Sequence, residues 1–382
     1  MSTCAYLEHR FHPVARTLTS LLFLGQRGAW LATVSGFPVL DCIATVGSLA
    51  TLYTVLGGMK AVVWTDFVQF IVLAGGLLLM IGLLMSFFSW DAGAVWSRAG
   101  ELTAPVTGGP HTRLVDWSLD LGTEATVWSV LFFMSFYLVG TQGTDQVNVQ
   151  RYLAVGSFRS MAKSVIGSGF VIMSMILLLA WLGLLLVVYY DRHPRLAAQV
   201  TRADMTVPHF VANVLPEGIW GLILAALLAA TMSSVDSALN SFAAVGVMDL
   251  YRRHVPKRAS AEAHLLRMGR QITLITGALA TLAAVGVRTM QSTVIQTVHS
   301  LASTFVGPIT GMFFLGVLTS RVRVQSMLVG AFLGLVTPVT IAWTPAGQDI
   351  HWMWTAPSSS IVTFVTGYTL SLVLDPSRPD ST

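Results

Sequence analysis

The sequence predicts an all-α, polytopic membrane protein, and three observations carry that reading. Of 382 residues, 54% are hydrophobic and only 10% are charged, against about 25% charged in ordinary soluble domains. The mean hydropathy is +0.70. The apolar runs are continuous instead of alternating with a period of two, which favours helical spans over a β-barrel. Together these features exclude a cytosolic enzyme, a disordered tail and a nucleic-acid module.

Ten stretches are each long enough to cross a hydrocarbon core of ~30 Å at about 1.5 Å per residue. They run over 17–35, 38–56, 66–89, 126–146, 163–189, 218–247, 268–287, 291–318, 324–343 and 355–374, the first carrying Gln26–Arg27 in its interior. If all ten cross, the connections alternate between sides and the basic residues divide fifteen to six. The richer side includes 252–270, 321–323 and both ends of the chain, so the positive-inside rule places both termini in the cytoplasm of a multi-pass cell-membrane protein. Residues 1–16 then form a cytoplasmic segment and 90–125 an extracellular loop. This topology accounts for the formal charge of +4 and the pI near 9.3 without a nucleic-acid partner.

The longest exposed segments, 90–125 and 190–206, are too short for a second domain, so 1–382 reads as a single transmembrane domain whose partners are the lipid bilayer and a small-molecule solute. Cys4 and Cys42 are too few for a disulfide framework. Met1–Pro13 lacks the apolar core of a cleavable signal peptide.

Carboxylates at membrane depth cost about 2.5–3.5 kcal/mol even on insertion scales, which makes them functional candidates by default. Of eighteen Asp and Glu, only Asp66, Asp145 and Asp236 fall within spans, with Asp41 at an edge. In 218–247, Ser233, Ser234, Asp236 and Ser237 lie near the midpoint. Ser233 and Ser237 stand one above the other on a helix, with the Ala230 carbonyl emerging one turn earlier. Oxygens gathered at one depth suit a small hard cation; close helix packing is the competing explanation for the serines, and Asp236 tips the balance toward a cation.

Three further positions stand out. Gly57–Gly58 reads as a turn, which puts Asp66 in the first turn of the next helix, where complementing the helix dipole is the simpler role. The apolar part of 126–146 ends at Thr141, so Gln142, Gly143, Thr144 and Asp145 are drawn into the bilayer or its interface. A polar break of that kind either lines a cavity or caps a short helix before a loop. Discontinuous helices are where transporters bind solute and ions. In 291–318, Gln296, His299, Ser303 and Thr304 recur at helical spacing and form a polar stripe, and Gly307–Pro308 is expected to break the helix. A structural role for His299 and a place facing a solute cavity are both open.

Several ordered segments together resemble the sodium:solute symporter family. They are AYLEHRF at 5–11, TLYTVLGGMKAVVWTDFVQ at 51–69, GTDQVNVQRYLAV at 143–155, AALLAATMSSVDSALNS at 225–241 with MDLYRR at 248–253, and GPITGMFFLGVLTSR at 307–321. The resemblance implies a LeuT-type inverted repeat of five plus five helices and sodium-coupled symport of a small organic solute, with Na+ as coupling ion. It implies a main sodium site from the Ala230 carbonyl and the hydroxyls of Ser233 and Ser234. A second site, present in some members, would use Asp66 with Ser233 and Ser237, and Asp236 could join it. In the family AYLEHRF follows the second core helix, so the sequence reads as lacking the first two core helices.

The solute is read from fewer residues. Sugar-transporting relatives carry a lysine near the position of Ile172, and their aromatic residues before the GTDQ motif are replaced here by Thr141 and Gln142, which disfavours a sugar. Gln296 and His299 fall near the family's solute-facing position, and with Thr141, Gln142 and Asp145 they form the expected solute set, suited to an organic anion or amino acid. A non-transporting paralogue or sensor with the same fold is the alternative. An intramembrane enzyme ranks last, because the spans hold no paired histidine and carboxylate.

Overall fold

The computed structural model describes residues 40–104, 109–113, 115–123, 126–144, 148–149, 152, 155–200, 205–216, 218–252, 255, 262–287, 294–344 and 349–374. The expected span 17–35 lies outside them. Among the described residues there are helices and no strands. They are α1 (Leu40–Phe87), α2 (Ala92–Glu101), α3 (Val127–Leu138), α4 (Phe158–Arg192), α5 (Thr206–Val214), α6 (Ile219–Val245), α7 (Glu262–Val287), α8 (Val294–Leu318), α9 (Val324–Trp343) and α10 (Thr355–Leu374), with a single helical turn at Pro194–Ala197. The described residues of the nine other expected spans are almost all helical, 38–56 and 66–89 falling in the single helix α1, and α9 and α10 match theirs to the residue. Four stretches among the described residues, Val62–Phe87, Phe158–Arg192, Ile219–Tyr251 and Val324–Ile341, combine the length and apolar composition needed to cross a membrane.

Two expected breaks are absent. Backbone at Gly57–Gly58 is helical within α1, so the predicted turn is not formed. Glycine costs a helix about 1 kcal/mol relative to alanine but keeps its N–H, so the apolar residues on either side sustain the helix. Asp66 consequently lies deep inside a helix, away from any terminal turn, and the dipole explanation for it fails. Pro308 is likewise inside α8. A proline removes one helical hydrogen bond, and in membrane helices neighbouring hydroxyls re-satisfy the backbone around it. Ser360 of α10 donates to the neighbouring Gly307 carbonyl at 2.9 Å, while the carbonyl that the missing Pro308 N–H would have met is that of Thr304.

The chain divides into two compact units. One comprises Met1–Met59, Trp117–Ala154 and Val235–Thr382, the other Lys60–Asp116 and Val155–Ser234. In the first unit, α8, α9 and α10 pack through small residues. A Cβ at Gly311 would meet the Thr363 Cβ at 2.5 Å, and one at Gly334 would meet Thr363 Oγ1 at 1.9 Å. Ser359 donates to the Gly334 carbonyl at 2.6 Å. With lipid tails as apolar as the side chains, such close backbone approach and interhelical hydrogen bonding supply the association energy. The first half of α1 meets α7 by the same device, used reciprocally. A Cβ at Gly47 would lie 2.3 Å from Thr281 Oγ1, and one at Gly277 would lie 2.1 Å from Thr51 Oγ1. Both threonines fold back on their own helices, Thr51 to Gly47 O at 2.7 Å and Thr281 to Gly277 O at 2.8 Å.

The second unit is built on an apolar core in which Leu84, Leu185 and Phe210 are fully buried. The segment expected as the loop 90–125 contributes α2, capped by Asp91, whose carboxylate accepts from Ala94 N at 2.9 Å. Arg98 of α2 clamps Asp191 at the end of α4, with Nε and Nη2 at 2.9 and 3.2 Å from the two carboxylate oxygens, and reaches Glu101 at 2.7 Å. The hydrogen bonds it donates to Asp191 and then to Glu101 raise the Arg98 guanidinium above its ordinary range.

Candidate functional site

α6 carries the serine cluster because GLILAALLAATMSSVDSALNS has no proline and only one glycine, and its small residues let other helices come close. In the second unit, Ser233 Oγ donates to Asp66 Oδ1 at 2.7 Å. Ser234 Oγ donates to the Ala230 carbonyl at 3.2 Å. Ala230, Ser233, Ser234 and Asp66 are all partly exposed. Oxygens about 3 Å apart can share one hard cation held at ~2.3–2.6 Å, the ligand distance of Ca2+, an ion close in radius to Na+. The two pairs offer a carboxylate, two hydroxyls and a carbonyl, oxygen donors of the kind an alkali or alkaline-earth cation prefers over nitrogen or sulfur.

Asp236, which the sequence places beside these serines, is fully buried. Its Oδ2 accepts the hydroxyl of Tyr53 on α1. Ser237 on the next position is partly exposed and its carbonyl accepts from Ser241 at 2.6 Å. Tyr53 was not among the sequence candidates. The signal for it was weak, since an aromatic residue in an apolar run is more often core, and only the hydroxyl at the depth of a carboxylate sets it apart.

The polar break after α3 takes the form of a π-helical segment, Val139–Thr144. Such widened turns occur mostly as single insertions in α-helices and concentrate at functional sites. Gly140 permits it, because a Cβ there would sit 2.4 Å from Val306 Cγ1 and 2.3 Å from Thr310 Oγ1 of α8. Thr141 and Gln142 both lie in this segment. Asn148 donates to the Thr141 carbonyl at 2.8 Å, and Tyr152 donates to Gln142 Oε1 at 2.8 Å. Asn148 and Tyr152 are therefore supports of the break that sequence reasoning missed, although both sit in the GTDQVNVQRYLAV segment.

Asp145 lies outside the described residues. Gln296 and His299 lie on the first turns of α8, and their side chains are also outside the described residues. Of the polar stripe on α8, Ser303 is fully buried and its Oγ stands 2.6 Å from Thr355 Oγ1 of α10. At that level the stripe is interhelical adhesive and not cavity wall, because a buried hydroxyl in a membrane helix must find a partner in protein.

The family model for the sodium:solute symporter family matches residues 16–336. The sodium/sialic acid symporter of Aliivibrio fischeri is 27% identical over 383 residues, covering 96% of this chain and 73% of its own length. The sodium-coupled monocarboxylate transporter 1 of Xenopus laevis is 29% identical, over 94% of this chain and 57% of its own. The sodium-dependent multivitamin transporter of Oryctolagus cuniculus is 30% identical, over 88% and 53%. Among solved structures, a substrate-bound, outward-open Na+-coupled sialic acid symporter superposes with a TM-score of 0.84 at 24% identity, covering 100% of this chain and 79% of that one. With the fold and the family model in agreement, the chain belongs to the sodium:solute symporter family, integral-membrane, sodium-coupled secondary transporters of LeuT-type fold that are not enzymes.

Proposed function

We propose that the protein imports a small organic anion together with sodium. One observation carries the ion half of this reading: a serine hydroxyl and a carboxylate, Ser233 and Asp66, meet at 2.7 Å inside membrane helices, with the Ala230 carbonyl and Ser234 hydroxyl alongside. Ala230, Ser233 and Ser234 contribute to the main sodium site. Asp66 and Ser233 form the centre of a second, to which Ser237 and Asp236 belong in the reading by resemblance. Sodium entering down its gradient is driven by the membrane potential at about 2.3 kcal/mol per charge per 100 mV. It drives solute only if sodium and solute each bind one conformational state better than the other.

The solute half rests on the π-helical break, where Thr141 and Gln142 are presented by a non-α turn, with Asp145, Gln296 and His299 as the remaining members of the set. An anion is favoured because the named solutes of similar proteins include sialic acid and monocarboxylate. The connection after α6, with Arg252 and Arg253, faces the cytoplasm, and both termini lie on that side.

The test is uptake of labelled sialic acid, lactate and a neutral sugar into proteoliposomes with an inward sodium gradient or with potassium in its place. The expected result is sodium-stimulated uptake of an acid, abolished in Ser233→Ala/Ser234→Ala. Sodium stimulation that survives this double change with unaltered sodium affinity overturns the ion assignment, and uptake confined to the neutral sugar overturns the solute class.

A further inference from the structure

A cavity of about 730 Å³ lies within the first unit, bounded by the end of the first half of α1, the end of α6 and the start of α7. Its walls and its rim differ in chemistry. The walls carry apolar side chains, Val55, Ala244, Val247 and Leu265 among them, together with the polar Asn240 and Thr273. At the rim stand two guanidiniums, Arg252 and Arg270, and one carboxylate, Glu262. The formal balance of those three side chains is one positive charge. In the interior, Thr54 is 3% exposed and its Oγ1 has no hydrogen-bond partner. A buried hydroxyl without a partner costs about 1–3 kcal/mol, so its place in the wall of a cavity is that of a donor awaiting an acceptor.

The opening is not fitted to a soluble ligand. Leu56, Leu266 and Met248, which line it, are 69%, 64% and 43% exposed, and apolar side chains left outward on membrane helices face acyl chains. Basic residues gather in the sequence at the same end, with Arg252, Arg253, Lys257 and Arg258 directly after the span. Clusters of that size at the cytoplasmic end of a span attract anionic headgroups, and basic pockets between membrane helices bind them.

We propose that this cavity is a binding site for an anionic phospholipid of the cytoplasmic leaflet. Its phosphodiester sits between Arg252 and Arg270, an ester oxygen accepts from Thr54, and one acyl chain lies along Val247 and Leu265. A zwitterionic lipid brings a cation to the two guanidiniums and is disfavoured. Free phosphate lacks the chain that fills the walls. Glu262 repels a second anionic charge, so a singly charged headgroup is preferred over a phosphomonoester.

Native mass spectrometry of the detergent-purified chain, titrated with phosphatidylglycerol, phosphatidylcholine or inorganic phosphate, tests the assignment. Phosphatidylglycerol should be retained in preference to phosphatidylcholine. Retention should weaken about thirtyfold in Arg252→Gln/Arg270→Gln, the loss of two surface cations at membrane depth. Gly269→Leu gives a second arm that keeps all the charges. A Cβ at Gly269 makes ordinary contact with Val247 Cγ2 at 3.8 Å, so the leucine extends into the cavity and should displace the lipid without lowering the unfolding temperature of the lipid-free protein. Equal retention of both lipids, undiminished phosphatidylglycerol binding in both variants, or equal occupancy by inorganic phosphate would each overturn the proposal. The serine cluster takes no part in this test, so its outcome is independent of the sodium reading.

Discussion

Asp66 on α1 and Asp236 on α6 show how one residue type acquires two environments. Asp66 accepts from Ser233 and is partly exposed. Asp236 is fully buried and holds the Tyr53 hydroxyl. Tyr53→Phe leaves a buried carboxyl oxygen without its donor, at a cost of about 1–3 kcal/mol, and should lower the unfolding temperature. The same variant decides the role of Asp236. Unchanged sodium affinity makes the Tyr53–Asp236 pair structural, while a shifted affinity ties it to the ion. His299→Ala addresses the solute set and should change the concentration of solute at half-maximal uptake while leaving that of sodium nearly unaltered. A change in sodium dependence alone contradicts the assignment.

At the scale of elements, glycines and hydroxyls decide which helices touch. The reciprocal Gly47–Thr281 and Thr51–Gly277 contacts bring α1 and α7 closer than any larger side chain permits. Gly277→Val places methyl groups where Thr51 Oγ1 stands 2.1 Å from an ideal Cβ. Overpacking of this kind costs about 1–3 kcal/mol, so thermal unfolding should begin earlier, whereas Gly183→Ala within α4, where a Cβ meets nothing within 4 Å, should stabilise by up to about 1 kcal/mol. The π-helical segment rests on the same principle, since Gly140 is the residue that Val306 and Thr310 approach. Its existence explains why the apolar run of α3 is too short for a span: the missing length is polar backbone held by Asn148 and Tyr152.

For the whole molecule, the distribution of basic residues makes a topological prediction. A cysteine placed at Arg252 should react with an impermeant maleimide only after the membrane is opened, and one placed at Arg98 should react in intact cells. The reverse pattern contradicts the orientation. The Arg98–Asp191–Glu101 cluster belongs to the outer side in this scheme. Being solvent-exposed, it anchors α2 with little net stabilisation.

The sequence by itself determined the membrane character, the helical spans and the depth of the serine cluster, because a bilayer imposes length and apolarity residue by residue along the chain. It also carried the family, through ordered motifs from 5–11 to 307–321. Only the tertiary structure decided what those residues meet. The breaks expected at Gly57–Gly58 and Gly307–Pro308 rested on local propensity, and both sites are helical in the fold. Ser303, expected only as part of a polar stripe, is bonded to Thr355, and Asp66, read by position as a dipole complement and by resemblance as a partner of Ser233, is bonded to Ser233. A hydrogen bond between residues 167 positions apart leaves no periodic trace in a sequence, since which faces of two helices meet is fixed by the close approach of small residues elsewhere in the fold.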